Sequence, residues 1–183
     1  MSFLPRRFSL DEYHRLLDGN VLRRGSRTEL LDGVVLDRAE RTERQAQVAS
    51  WLHRRLDQAL PSGMLLRTDE PLTLSQETEL TPALAVVPSE VAAHGVRHPA
   101  TATLVIEVAD ADLERIQKGH VRAWARGGVQ ELWLVNLVDR RVDVLWKPSV
   151  EAYQDAMVLA VATTLSSRTL PGVSVPVGAL FGL

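Results

Sequence analysis

Cysteine is absent from all 183 residues, which excludes disulfides, zinc-thiolate centres and cysteine nucleophiles. An excess of positive charge is also missing. The formal net charge is −2, so there is no pervasive basic field for nucleic acid, and any such binding must rely on a local patch. No apolar run reaches membrane-spanning length, and the opening MSFLPRRFSLDEY lacks the apolar core of a signal peptide. The cytoplasm is therefore the expected location. Walker A, GxGxxG and GxSxG patterns are absent too, which removes the common phosphate-loop and serine-nucleophile readings. Lysine is scarce, with only Lys118 and Lys147 among 21 basic residues. Nucleotide composition explains that bias more simply than function does, but it makes each lysine worth inspecting.

What remains is a globular composition, 45% hydrophobic and 24% charged. The length suits one domain over residues 1–183 with a sizeable core. Ser9 followed by Glu12 is a capping box that opens a short helix to Asp18. RTELLDGVVLD, residues 27–37, has the pattern of a hairpin turning at Asp32-Gly33. Helical spacing of Val48, Trp51, Leu52, Leu56 and Leu60 predicts a helix within 40–60, stopped by Pro61-Ser62-Gly63. A strand is expected over 64–74, a polar bend over 75–81, a short strand over 84–87 and a loop over 88–99. A strand over 103–108, a helix over 112–126 and a hairpin over 131–147 follow. A short strand near 157–161 and the apolar segment LPGVSVPVGALF complete the chain. That segment either closes the core, the preferred reading, or forms an interface. The order of elements predicts an α/β fold with a mixed sheet flanked by helices, although strand order is not legible.

The most informative stretch is Leu104 to Leu137. Glu107 interrupts the apolar strand TLVIEV, and an unpaired charge buried there would be costly. A metal ion or a cationic side chain is the usual partner; the plain alternative is an edge glutamate facing solvent or an arginine. Lys118, on the helix that follows, could reach back over the sheet to a phosphate or water, or could simply be solvated. Arg115 and Arg122 flank it and could form a small phosphate-attracting stripe for nucleic acid. Glu29, entering the Asp32-Gly33 turn, is a candidate carboxylate for the same site or a salt-bridge partner of Arg27. Trp124 and Trp133 are expected in the core.

These pieces carry a family resemblance. SLDEYHRLL, ELLDGVVL, TPALAVV, LVIEV with ERIQK, GGVQELWLVNL and LPGVSVPVGALF together resemble the Uma2 family of the PD-(D/E)XK nuclease superfamily. The resemblance implies a restriction-endonuclease-like core, Mg²⁺-dependent phosphodiester hydrolysis and a nucleic-acid partner. Position by position it implies Glu107 as metal ligand, Lys118 as the helix-borne catalytic lysine and Glu29 as the acidic residue ahead of the first turn. One departure stands out: where the family has Pro-Asp, this chain has Pro82-Ala83. Mg²⁺ is usually held by one or two carboxylates with waters and phosphate oxygens, so losing one ligand implies a weakened or lost site. Glu79 is the first substitute ligand to consider, with Asp110 and Asp112 behind it.

The expectation is thus an endonuclease of weakened or absent activity. The rival is a non-catalytic module that binds nucleic acid or protein on the same fold. Cutting two strands would suit a homodimer.

Overall fold

A computed structural model describes residues 5–22, 27–93 and 98–182, apart from the side chains of residues 92, 93 and 115. Helix α1 (Leu10–Asp18) begins with both hydrogen bonds of the Ser9–Glu12 capping box. Strands β1 (Thr28–Leu31) and β2 (Val34–Asp37) form the expected hairpin. Its turn requires positive φ at two successive residues, found at Asp32 (50°) and Gly33 (76°). A second capping box, Thr42 with Gln45, opens α2 (Glu43–Asp57).

The region after α2 departs from the sequence reading. The single strand expected over 64–74 is two strands, β3 (Met64–Thr68) and β4 (Leu72–Ser75). Asp69, at φ 55°, and Pro71 break it between them. The expected polar bend contains β5 (Thr78–Leu80), whose three residues are all buried. Its polarity is misleading because other elements supply partners for Thr78 and Glu79. Strand β6 (Leu84–Pro88) follows, and the expected loop after it begins with a short helix, α3 (Ser89–Ala93).

Strand β7 (Leu104–Ala109) carries Glu107. The helix expected over 112–126 is interrupted: α4 (Leu113–Arg115), a π-turn (Ile116–His120), then α5 (Val121–Arg126). Strands β8 (Glu131–Asn136), β9 (Arg141–Pro148) and β10 (Tyr153–Ala160) complete the large sheet. Its order is β10-β9-β8-β7-β6-β3. Only β7 and β8 are parallel. The helical segment between them supplies the crossover that parallel neighbours require. A smaller sheet, β2-β1-β5-β4, packs beside it, and β11 (Thr164–Ser166) pairs with β12 (Ser174–Pro176).

Side-chain alternation along the strands divides the interior into two layers. Leu84, Val86, Leu104, Ile106, Trp133 and Val135 face α2. Ala85, Val87, Val105 and Leu132 face α5 and the smaller sheet, together with Leu72, Leu80 and Trp124. This alternation sends Glu107 to the second layer. Val173, Val175, Val177, Leu180 and Phe181 pack into the first, which assigns the apolar segment to the core.

Candidate active site

Glu107 and Glu29 reach the same place from different sheets. On β1, Leu30 packs against Leu10 and Tyr13 of α1, so its neighbour Glu29 points to the opposite face, toward the large sheet. Between the two carboxylates stands His120. Its Nδ1 lies 3.2 Å from Glu107 Oε1 and its Nε2 lies 3.2 Å from Glu29 Oε2. All three side chains are almost fully buried.

The surroundings hold this bridge in place. The Trp124 indole N–H donates to Glu107 Oε1 at 3.0 Å, and its ring meets His120 edge-on, 6.5 Å between centroids. Glu29 Oε1 accepts the Thr81 backbone N–H at 2.9 Å and lies 3.2 Å from Arg38 Nε. Gly119 lets the helix lie this close to β1, since a Cβ there would come 3.0 Å from Leu31 Cδ2. The π-turn ends on His120, and such insertions re-aim side chains and recur at functional sites.

Electrostatics follow from the geometry. Burial alone would depress the His120 pKa, but hydrogen bonds and charges from Glu107 and Glu29 outweigh it and hold the imidazole up at about 9. Burial likewise opposes ionisation of Glu29. There the His120 contact, the Arg38 charge and the Thr81 N–H prevail, leaving its pKa below the ordinary carboxylate value. The geometry therefore favours a charged imidazole between the two carboxylates, with Arg38 as a second cation beside Glu29.

The other sequence candidates go elsewhere. Lys118 is exposed and pairs with Glu114 one turn back. Glu79 is buried against His14 (3.0 Å) and Thr73 (2.6 Å), in a larger cavity of about 710 Å³ also lined by Tyr13, Arg27 and Arg38. Arg122 pairs at the surface with Glu151, and the Arg115 side chain lies outside the described part. Asp110 accepts from Thr42. Asp112 lines the same small cavity as Glu107 and accepts from Gln45 and the Asp110 N–H through one oxygen.

His120 is the residue that sequence reasoning missed. The signal was present: Ile116, His120, Ala123 and Trp124 follow i, i+4, i+7, i+8 spacing, which puts His120 on the apolar stripe and Lys118 off it.

The residues present do not suit a divalent cation. The β6–β7 register pairs Leu84 with Ile106. Ala83, just before β6, lines a cavity of about 20 Å³ together with Glu107. A space of that size holds roughly one water, whereas Mg²⁺ normally keeps several. Among the described residues, no three His, Asp or Glu side chains are arranged to hold a metal ion. No described helix is long and apolar enough to cross a membrane.

Comparison with known proteins places this geometry in context. The fold is similar to the crystal structure of a putative nuclease belonging to DUF820 from Anabaena variabilis ATCC 29413. The TM-score is 0.74 at 14% identity, covering 96% of this chain and 98% of that one. No curated protein matches the chain. The model of the Uma2 family, described as "Putative restriction endonuclease", matches residues 10–178. The match spans nearly the whole chain, which therefore belongs to the Uma2 family.

Proposed function

We propose that this protein keeps the endonuclease fold of its family with a degenerate metal site, so that Mg²⁺-dependent phosphodiester hydrolysis is lost or greatly weakened. What carries the reading is Ala83, which lines the small cavity together with Glu107 and brings no carboxylate to it. Without a second carboxylate there, Glu107 alone would hold a divalent ion weakly and without fixed geometry. Nucleic acid is the ligand that family membership favours. Arg38 and Arg41 line the small cavity and Arg27 the larger one, and phosphates would compete for them with Glu29, Asp69 and Glu40, to which they are ion-paired. Binding would then outlast catalysis.

Incubation of wild type with plasmid DNA, single-stranded DNA and RNA, each with Mg²⁺ or Mn²⁺, tests this. The expected result is no cleavage above that of Glu107→Ala, with nucleic-acid binding that weakens steeply as salt rises. Cleavage by wild type that disappears in Glu107→Ala would overturn it. That outcome would favour a second reading, in which Asp112, lining the same cavity, replaces the missing ligand. Failure to bind nucleic acid even at low salt would leave a protein partner as the role.

A further inference from the structure

We infer that the larger cavity, about 710 Å³ beside α1, is a pocket for one unpaired nucleobase, which makes the partner a single strand. The inference rests on the reading above that nucleic acid is the ligand, and it deepens that reading.

One face of α1 supplies part of the wall, because Tyr13, His14, Leu17 and Asp18 recur at helical spacing. Size narrows the ligand first. The volume falls within the range of small-molecule pockets, roughly 300–1,000 Å³, and a duplex keeps its bases stacked away from any such pocket. Charge narrows it next. Arg27 and Arg38 line the cavity with three carboxylates, those of Asp18, Asp69 and Glu79, so it does not concentrate phosphate. Both arginines are already ion-paired, Arg27 with Asp69 and Arg38 with Glu29. Glu79 is held by His14 at 3.0 Å and Thr73 at 2.6 Å.

These pairings leave features that suit a flat, uncharged ligand carrying N–H donors. Leu17 and Pro71 offer apolar surface, and the His14 ring, oriented by Glu79, is a plane on which a base can stack. Among the described residues the Asp18 carboxylate has no hydrogen-bond or ion-pair partner. It can accept from the exocyclic amino group of a base. Arg38 also lines the small cavity that holds Glu107, so one strand can span both places.

The test is a low-salt binding titration of the full chain. The probes are a single strand of about 12 nucleotides, made as DNA and as RNA, the same DNA backbone without bases, and the DNA duplex. The abasic strand carries the same phosphate charge, so the difference reports on the bases. The single strand, as DNA or as RNA, should bind at least about tenfold more tightly than the abasic strand or the duplex, within the range of one stacked base. Abasic or duplex binding as tight as single-strand binding overturns the inference, yet leaves the nucleic-acid reading intact. Binding to none of the probes overturns both.

Leu17→Trp locates the site. Leu17 is 37% exposed, so a larger ring there fills cavity space without entering the core, and circular dichroism checks the fold. The variant should lose the preference for bases and keep the weak, salt-dependent binding to the abasic strand. A folded variant that keeps the preference overturns the inference. NMR of wild type answers the same question even if the variant fails to fold. The His14 ring signals should shift with the single strand and stay in place with the abasic one; unmoved signals, or equal shifts with both, overturn the inference.

Discussion

Two buried glutamates on adjacent parallel strands, Glu107 of β7 and Glu131 of β8, are held in opposite ways. Glu131 is fully buried and accepts five hydrogen bonds from neutral donors: the Trp133 indole, the Ser167 and Thr169 hydroxyls, and the backbone N–H groups of Arg168 and Thr169. Four of those five come from one loop, residues 167–169, which the carboxylate pins against the sheet. Glu107 instead shares its oxygen between one neutral donor, Trp124, and one imidazolium. The first arrangement is a staple, because four of its donors belong to one loop and two of those are backbone N–H groups that cannot leave without unravelling it. The second is a charge network, whose strength depends on protonation and on which cation is present. Burial of a carboxylate in a strand therefore does not by itself mark an active site; the nature of its partners does.

The largest expected effect is at the charge network. His120→Ala leaves two buried carboxylates short of their cation and should cost about 4 kcal/mol, the usual range for breaking a buried pair, read as a fall in the urea midpoint. The cost should depend on pH. With a folded pKa of about 9 against an ordinary 6.5, the histidine's contribution is fully present below about pH 6.5 and fades as pH rises through about 9. The linked part is about 3 kcal/mol. The lowered Glu29 pKa sets the other edge: its contribution is present above about 4.5, the unfolded value, and is lost as pH falls through the folded one. Wild type and His120→Ala should therefore differ most between about pH 5 and 6.5 and converge toward about pH 10. A difference that is constant across this range would show that the histidine acts through packing.

Glu131→Ala should come next, at about 2 kcal/mol, since it removes the acceptor shared by the buried Trp133 indole and the partly buried donors of the 167–169 loop. Its distinguishing sign is local. Amide exchange at residues 167–170 should accelerate far more than in the strands, whereas His120→Ala should leave that loop protected. The smallest effect belongs to Lys118→Ala. Its ion pair with Glu114 is exposed on both sides, so stability should move by less than about 0.5 kcal/mol in thermal melts. Any metal or nucleic-acid binding should stay unchanged. A strong loss of binding in Lys118→Ala would return that lysine to the site.

Much of the fold was legible because its determinants are local. The Ser9–Glu12 capping box, the Asp32-Gly33 turn and the apolar strand around Glu107 each require only neighbouring residues to be read. Strand β5 was not legible, because Thr78 and Glu79 find partners in a buried strand through Asp32 and His14, both distant in sequence, and through Thr73 on the neighbouring strand. The π-turn was equally hidden: Gly119 weakens a regular helix over IQKGH, but nothing in the segment specifies the wider turn. At the site, Glu29 and Glu107 were visible as carboxylates in apolar strands. Lys118 was read by chemical type, and His120, whose helical phase puts it on the apolar stripe, was not weighed.

One consequence of the architecture concerns synthesis. The layer that α2 forms against the large sheet joins Val48 and Leu52 to Leu165, Val175, Leu180 and Phe181 in a single apolar cluster. Contacts of such sequence separation form late and slow folding. While the chain is growing, α2 and the strands through β9 can assemble only with that side of the sheet uncovered. Until the segment carrying Leu165 to Phe181 docks, that apolar surface stays open to other chains, the condition under which folding intermediates aggregate.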